Sequence, residues 1–182
     1  MALIQTPVCD FDWPMPAFTL ANPNGTQFDS ATLMGQKGLV VAFLCNHCPY
    51  VKAIAARLGD TAKALSDHQI GFVGIMSNDY RDYPADAPPE MLRFAAQSGW
   101  DFPYLVDEDQ RVGRAFDAQC TPDFFGFNAN GGLQYRGRLD GGRPNGGAPS
   151  TPELILAMEH IAKTGRGPMD QTPSMGCSIK WS

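Results

Sequence analysis

The run VVAFLCNHCPYVK, residues 40–52, changes its periodicity in the middle, and that change decides the fold. Its first half belongs to GLVVAFLC, an apolar stretch rich in β-branched residues and bounded by Gly38, which predicts a buried strand over about residues 39 to 44. Beyond Pro49 the apolar positions Val51, Ile54, Ala55, Leu58, Ala62 and Leu65 fall on one side of a helix. Pro49 suits the first turn of that helix, where its missing N–H would have had no partner. IGFVGIM at 70–76 predicts a second buried strand, and strand, helix, strand with so long a connection reads as a parallel crossover.

Outward from this unit the chain alternates short elements. FTLANPNGTQFDSATL alternates apolar and polar residues around Pro23-Asn24-Gly25 and predicts an N-terminal hairpin. YRDYPADAPP reads as a proline-rich loop, EMLRFAAQS as a short helix ending at Gly99, FPYLV at 102–106 as a strand, and QRVGRAFD as a helical turn or two. DFFGFN and LQYRGRL, separated by Ala129-Asn130-Gly131-Gly132, predict a second hairpin, and GGRPNGGAPS a flexible loop. A last helix is expected from Ser150 or Thr151, with Pro152 and Glu153 in its first turn, to Gly165. The tail RGPMDQTPSMGCSIKW has too little pattern to be an element, although Ile179 and Trp181 predict that it packs on the body. The fold class is α/β, with a central mixed sheet flanked by helices, in one domain of residues 1–182 whose tail is 165–182.

Composition narrows the function. The net charge of −5 comes without a Lys/Arg cluster, so nucleic acid is not an expected partner. The opening MALIQTPVCDFDWPMPAF has neither a basic nor a long apolar segment, and no later run reaches membrane-spanning length, so the expected location is cytoplasmic, away from membranes. Cys9, Cys45, Cys48, Cys120 and Cys177 are odd in number and widely spread apart from one close pair, which fits reactive or metal-bound thiols in a reducing compartment better than a disulfide scaffold.

Cys48 stands where the strand hands over to the helix. Unpaired N–H groups and the positive end of the helix dipole face a sulfur there, stabilise its thiolate and lower its pKa. His47 could add a positive charge, and Cys45 supplies a second sulfur able to resolve a mixed disulfide. Cys45, His47, Cys48 and Cys177 could also converge on zinc or Cu(I), but a second paired motif is missing, and neither metal nor cofactor is expected. In QCTPDFFGFN, Thr121-Pro122 precedes an apolar strand; a cis proline there would turn the carbonyl and N–H of Thr121 toward an extended peptide beside the thiols.

VVAFLCNHCPYVK, CTPDFFGF, YRGRLD and the terminal PSMGCSIKW together resemble the thioredoxin superfamily, and within it the peroxiredoxin-like AhpC/TSA family. The resemblance runs over nearly the whole chain. It implies a thioredoxin-like fold with a cis-proline loop packed against the catalytic thiol. It selects Cys48, which follows Phe43 by five positions and is followed by Pro49, as nucleophile, leaving Cys45 to resolve from the loop side. Where peroxiredoxins carry a threonine and a proline to position peroxide, this chain has Cys45 and Val41, and it offers Pro122 near the place of their arginine. The expected activity is therefore thiol–disulfide exchange, with catalytic Cys48, Cys45 and His47, with Thr121, Pro122 and Pro49 holding the substrate, and with Cys177 and Cys120 as further resolving thiols, Cys120 on the rim of the site. Cys9 is expected to be structural or incidental. The expected partners are a thiol or disulfide substrate and a reductant such as a thioredoxin or glutathione system. The alternatives are a thiol peroxidase acting on hydrogen peroxide or organic hydroperoxides, and a metal-binding or redox-sensing module.

Overall fold

A computed structural model describes residues 3–142 and 151–182. Its centre is β4 (Gly38–Phe43), buried at every position. Alternate residues of a strand face opposite sides. Val40, Ala42 and Leu44 accordingly join one core while Leu39, Val41 and Phe43 join another. The continuous apolar run reflects this double burial.

Helix α2 (Pro49–Asp67) carries the chain from β4 to β5 (Ile70–Met76). Lys37 N–H donates to Gln69 O, and Leu44 N–H to Ile75 O, so both chains advance together and the two strands run parallel. β6 (Tyr104–Val106) adds in parallel beside β5. β2 (Thr19–Ala21) pairs antiparallel with β6 and, across the expected hairpin, with β3 (Gln27–Asp29). On the other side β8 (Asp123–Asn128) lies antiparallel to β4, and β9 (Leu133–Tyr135) to β8.

The helix face expected from the sequence is the one that packs: Val51, Ile54, Ala55, Leu58, Ala62 and Leu65 are all buried. α2 shares its core with Met91 of α3 (Pro88–Ser98) and with Leu154, Met158 and Ile161 of α5 (Glu153–Thr164). The opposite core is aromatic. Phe116 meets Phe43, Phe125 and Phe127 edge-on at centroid distances of 5.4, 5.4 and 6.1 Å, and Val112 of α4 (Arg111–Ala115) and Leu33 of α1 (Ser30–Leu33) pack there too. α3 and α5 stop at Gly99 and Gly165, both left-handed, a conformation that costs glycine nothing.

Several boundaries differ from the expectation. α5 begins at Glu153, with Pro152 capping it from outside, since a cap residue also needs no N–H. The proline-rich loop contains a 3₁₀ turn, Pro84–Asp86, and α3 starts at Pro88. Most of GGRPNGGAPS, residues 143–150, lies outside the described residues.

The largest correction concerns the tail. It forms β10 (Met175–Ser178), the middle strand of a small antiparallel sheet between β1 (Leu3–Gln5) and β7 (Cys120–Thr121). The strand is fixed at both ends. Ser174 Oγ donates to Pro122 O at 2.7 Å and Ser174 N–H to Thr6 Oγ1 at 3.0 Å. Beyond the strand Lys180 N–H donates to Asn78 Oδ1 at 2.8 Å, while Asp79 N–H donates to Lys180 O at 2.7 Å. Each such bond contributes roughly 0.5–1.5 kcal/mol net. As expected, Ile179 is buried; Trp181 lies under the Arg114 guanidinium, 4.6 Å from its ring centre. Among the described residues no helix is long and apolar enough to cross a membrane.

Candidate active site

Cys48 is the N-cap of α2, in extended backbone conformation, and Pro49 is the first helical residue, as the sequence requires. Its sulfur is enclosed. Protonated, Cys48 donates to Thr121 O at 3.1 Å; Cys177 Sγ, from β10, is also 3.1 Å away. Cys45 Sγ lies 3.1 Å from Thr121 Oγ1. All five cysteines are free thiols, and Cys45, Cys48 and Thr121 meet as the sequence suggested. Cys177 joins them from 129 positions downstream.

These contacts separate the sulfurs electrostatically. The Cys45 thiol, acting as donor, does most to lower the pKa of Cys48. Burial opposes it, but the Cys177 thiol and the backbone N–H groups of Val51 and Cys177 also favour the thiolate, and the result is about 5 against an ordinary 9.0. Losing the bond to Thr121 O on ionisation is outweighed by these four donors. Cys45 moves the other way: donating to Cys48 and being buried hold its proton on. Burial, then the bond to Cys48, pushes Cys177 up to about 12. One ionised sulfur is thus flanked by two protonated ones.

His47 turns toward Asp86: its Nδ1 lies 2.7 Å from Asp86 Oδ2 and its ring stacks on Tyr83. Asp86, fully buried, is the residue that sequence reasoning missed. It accepts from Asn46 N–H at 2.7 Å, from His47, and from Asn78 Nδ2 at 2.8 Å, and so holds both the thiol loop and the residue that anchors Lys180. A topological signal existed: β4 and β5 are parallel neighbours, so the loops leaving their C-terminal ends must lie side by side.

Cys45 Sγ, a His47 ring nitrogen and an Asp86 oxygen all lie within 4.8 Å of one another, close enough to consider one cation. The Asp86 oxygens, however, are already engaged by three protein donors, and the group reads as a hydrogen-bonded support for the loop.

The Thr121–Pro122 peptide bond is cis, as the family resemblance implied and the sequence alone left open. The anticipated open edge at Thr121 is closed: Thr121 is buried and pairs with Cys177 of β10. Cys120 is not on the rim. It is fully buried, its sulfur faces Pro122 O at 3.5 Å, and burial together with the charge of Asp123 raises its pKa far above the ordinary value. Cys9 stands apart from these motifs, and burial raises it to about 11. Pro49 and Pro122 do share a surface: with Tyr50, Arg138, Ser174 and Met175 they help line a cavity of about 720 Å³.

Comparison with known proteins agrees with this architecture. Residues 12–149 match the Redoxin family. An uncharacterized conserved protein from Geobacillus kaustophilus is 40% identical, with a TM-score of 0.93 over 100% of this chain and 97% of its own. A hypothetical protein from Sinorhizobium meliloti 1021 is 32% identical, with a TM-score of 0.93 over 98% of each chain. A secreted disulfide oxidoreductase from Mycobacterium tuberculosis shares the fold, at 22% identity and a TM-score of 0.59 over 79% of this chain and 95% of its own. No curated protein matches the chain.

Proposed function

Because the chain belongs to the Redoxin family, an AhpC/TSA-type branch of the thioredoxin superfamily with a thiol redox role, we propose that it is a thiol–disulfide oxidoreductase with Cys48 as nucleophile and Cys177 as its partner thiol. The observation that carries the reading is the enclosed Cys48 sulfur, ionised by its donors and 3.1 Å from Cys177 Sγ. A disulfide bond is about 2.05 Å long, so a shift of roughly 1 Å closes it.

The Cys48 thiolate attacks one sulfur of a substrate disulfide, forming a mixed disulfide and expelling the other half as a thiolate. Cys177 then gives up its proton to that thiolate or to solvent and attacks Cys48. The second half of the substrate leaves as a thiolate that takes its proton from solvent, so a protein thiolate and a thiol become one disulfide and the substrate disulfide becomes two thiols. A thioredoxin or glutathione system would return the two electrons, in a reducing compartment such as the cytoplasm. Cys45, the resolving thiol expected from sequence, takes second place because its sulfur also engages the Thr121 hydroxyl. Its S–H donor instead supports the nucleophile.

Mild oxidation followed by mass-spectrometric mapping tests the assignment. A Cys48–Cys177 bond is expected; Cys48 left unpaired, or activity surviving Cys48→Ser, would overturn it.

One observation favours a second reading. Cys48 has no exposed surface, which suits a small oxidant. With a hydroperoxide the same thiolate would attack the outer oxygen and become a sulfenic acid, releasing an alcohol or water. Cys177 would then displace water to give the same disulfide. Trapping of a Cys48 sulfenate by dimedone in Cys177→Ser, with stoichiometric peroxide consumption, distinguishes this route from disulfide exchange.

A further inference from the structure

The edge beside the nucleophile that would take an extended peptide is filled by the chain itself. Cys177 is in register with Thr121 and Ser178 with Cys120, so β10 occupies the hydrogen-bonding side of β7. Cys177 delivers its sulfur to Cys48 as a cysteine in a bound peptide would. Gly176 makes the approach possible: a Cβ there would stand 2.0 Å from Thr121 O and 2.6 Å from Thr121 C, both backbone atoms with no room to yield. The strand is held by β1 on its other side, by Ser174 before it and by Lys180 after it.

Resting on the reading of Cys48 as nucleophile, we propose that β10 is a fixed specificity element that excludes extended polypeptides and limits Cys48 to low-molecular-weight disulfides. A polypeptide could take the Thr121 edge only if β10 left both neighbouring strands and exposed Cys177 and Ile179. A small disulfide makes no demand on the backbone hydrogen bonds of that edge. The cavity of about 720 Å³ that Pro49 and Pro122 help to line lies beside the site, and its volume falls within the range of small-molecule sites, roughly 300–1,000 Å³.

The test compares hydroxyethyl disulfide with insulin, a protein disulfide, as oxidants of the reduced full-length protein. The unchanged protein should favour hydroxyethyl disulfide by at least a hundredfold in kcat/KM. Gly176→Val, which drives β10 off Thr121, should shift that ratio at least tenfold toward insulin. Equal rates with the two substrates in the unchanged protein would overturn the proposal, as would a folded Gly176→Val with an unaltered ratio. If that variant does not fold, amide hydrogen exchange of residues 175–178 during turnover of hydroxyethyl disulfide decides. Retained protection supports the fixed strand, and opening at the turnover rate overturns it. Cys48→Ser keeps the two levels apart: activity surviving in it defeats the assignment of the nucleophile, whereas a dead Cys48→Ser beside rapid insulin reduction by the unchanged protein defeats only the fixed strand.

Discussion

Two segments deliver sulfur to the same point, and they differ in what holds them. The loop from Cys45 to Cys48 is positioned first by its own neighbours in sequence, with β4 leading in, Pro49 opening α2 and the first helical turn supplying Val51 N–H, and is braced by Asp86. The strand from Met175 to Ser178 has no internal reason to be extended. It is a strand because β1 and β7 lie on either side of it and because Gly176 lets Thr121 come close. The first segment makes a reactive sulfur; the second covers it. A site assembled in this way takes its central sulfur from a local motif, and both its cover and two of the donors around that sulfur from a distant strand.

The most damaging challenge to this comparison is to remove each sulfur in turn. Cys48→Ser should lower disulfide reduction at least about a thousandfold, as expected for loss of a nucleophile. Cys177→Ser should retain the first chemical step and accumulate the Cys48 mixed disulfide, seen as a stoichiometric adduct in the intact mass. Equal losses at both steps in the two variants would erase the distinction drawn between the segments.

A second probe is pH. Alkylation of Cys48 by iodoacetamide should follow a midpoint near 5, and Cys45→Ala should raise that midpoint by removing the leading donor. The folded pKa lies below the ordinary 9.0, so the thiolate contributes stability that is present above pH 9 and lost as pH falls toward 5. Urea unfolding of the reduced protein at pH 8 and pH 5, with Cys48→Ala as reference, measures it. A reference that loses as much as the parent would contradict the assignment.

Asp86 tests the support of the loop, with a smaller effect. Burial pushes its carboxyl up, but the bonds from His47, Asn78 and Asn46 N–H prevail and hold it below its ordinary 3.8. Asp86→Ala leaves those donors buried without an acceptor and should cost about 1–3 kcal/mol by urea unfolding. For the parent, this contribution is lost as pH falls below 3.8 through the depressed value. The smallest effect belongs to the far end of the tail. Arg114→Ala removes the cation over the partly exposed Trp181 and should cost about 0.5–1 kcal/mol, with residues 180–182 exchanging their amide hydrogens faster.

What could be read in advance follows the same division. The six apolar positions of α2 face one core, and IGFVGIM coincides with β5, because periodicity records burial when a whole element lies against a core. Met175-Gly176-Cys177-Ser178 carries no such record, since a middle strand of a three-stranded sheet can be specified by its partners. His47 was visible as a residue but not as a partner of Asp86: that pairing spans 39 positions and depends on two parallel strands ending together. The thiol motif singled out Cys48. It held no information about the strand that lies over it.

The 129-residue interval between Cys48 and Cys177 also bears on biosynthesis. At roughly 5–20 residues per second, a ribosome needs about 6 to 26 seconds after adding the first of these cysteines before it adds the second. For that interval the nascent polypeptide carries Cys45 and Cys48 without their cover, so a newborn molecule meets cellular oxidants unshielded in a way that the finished one does not.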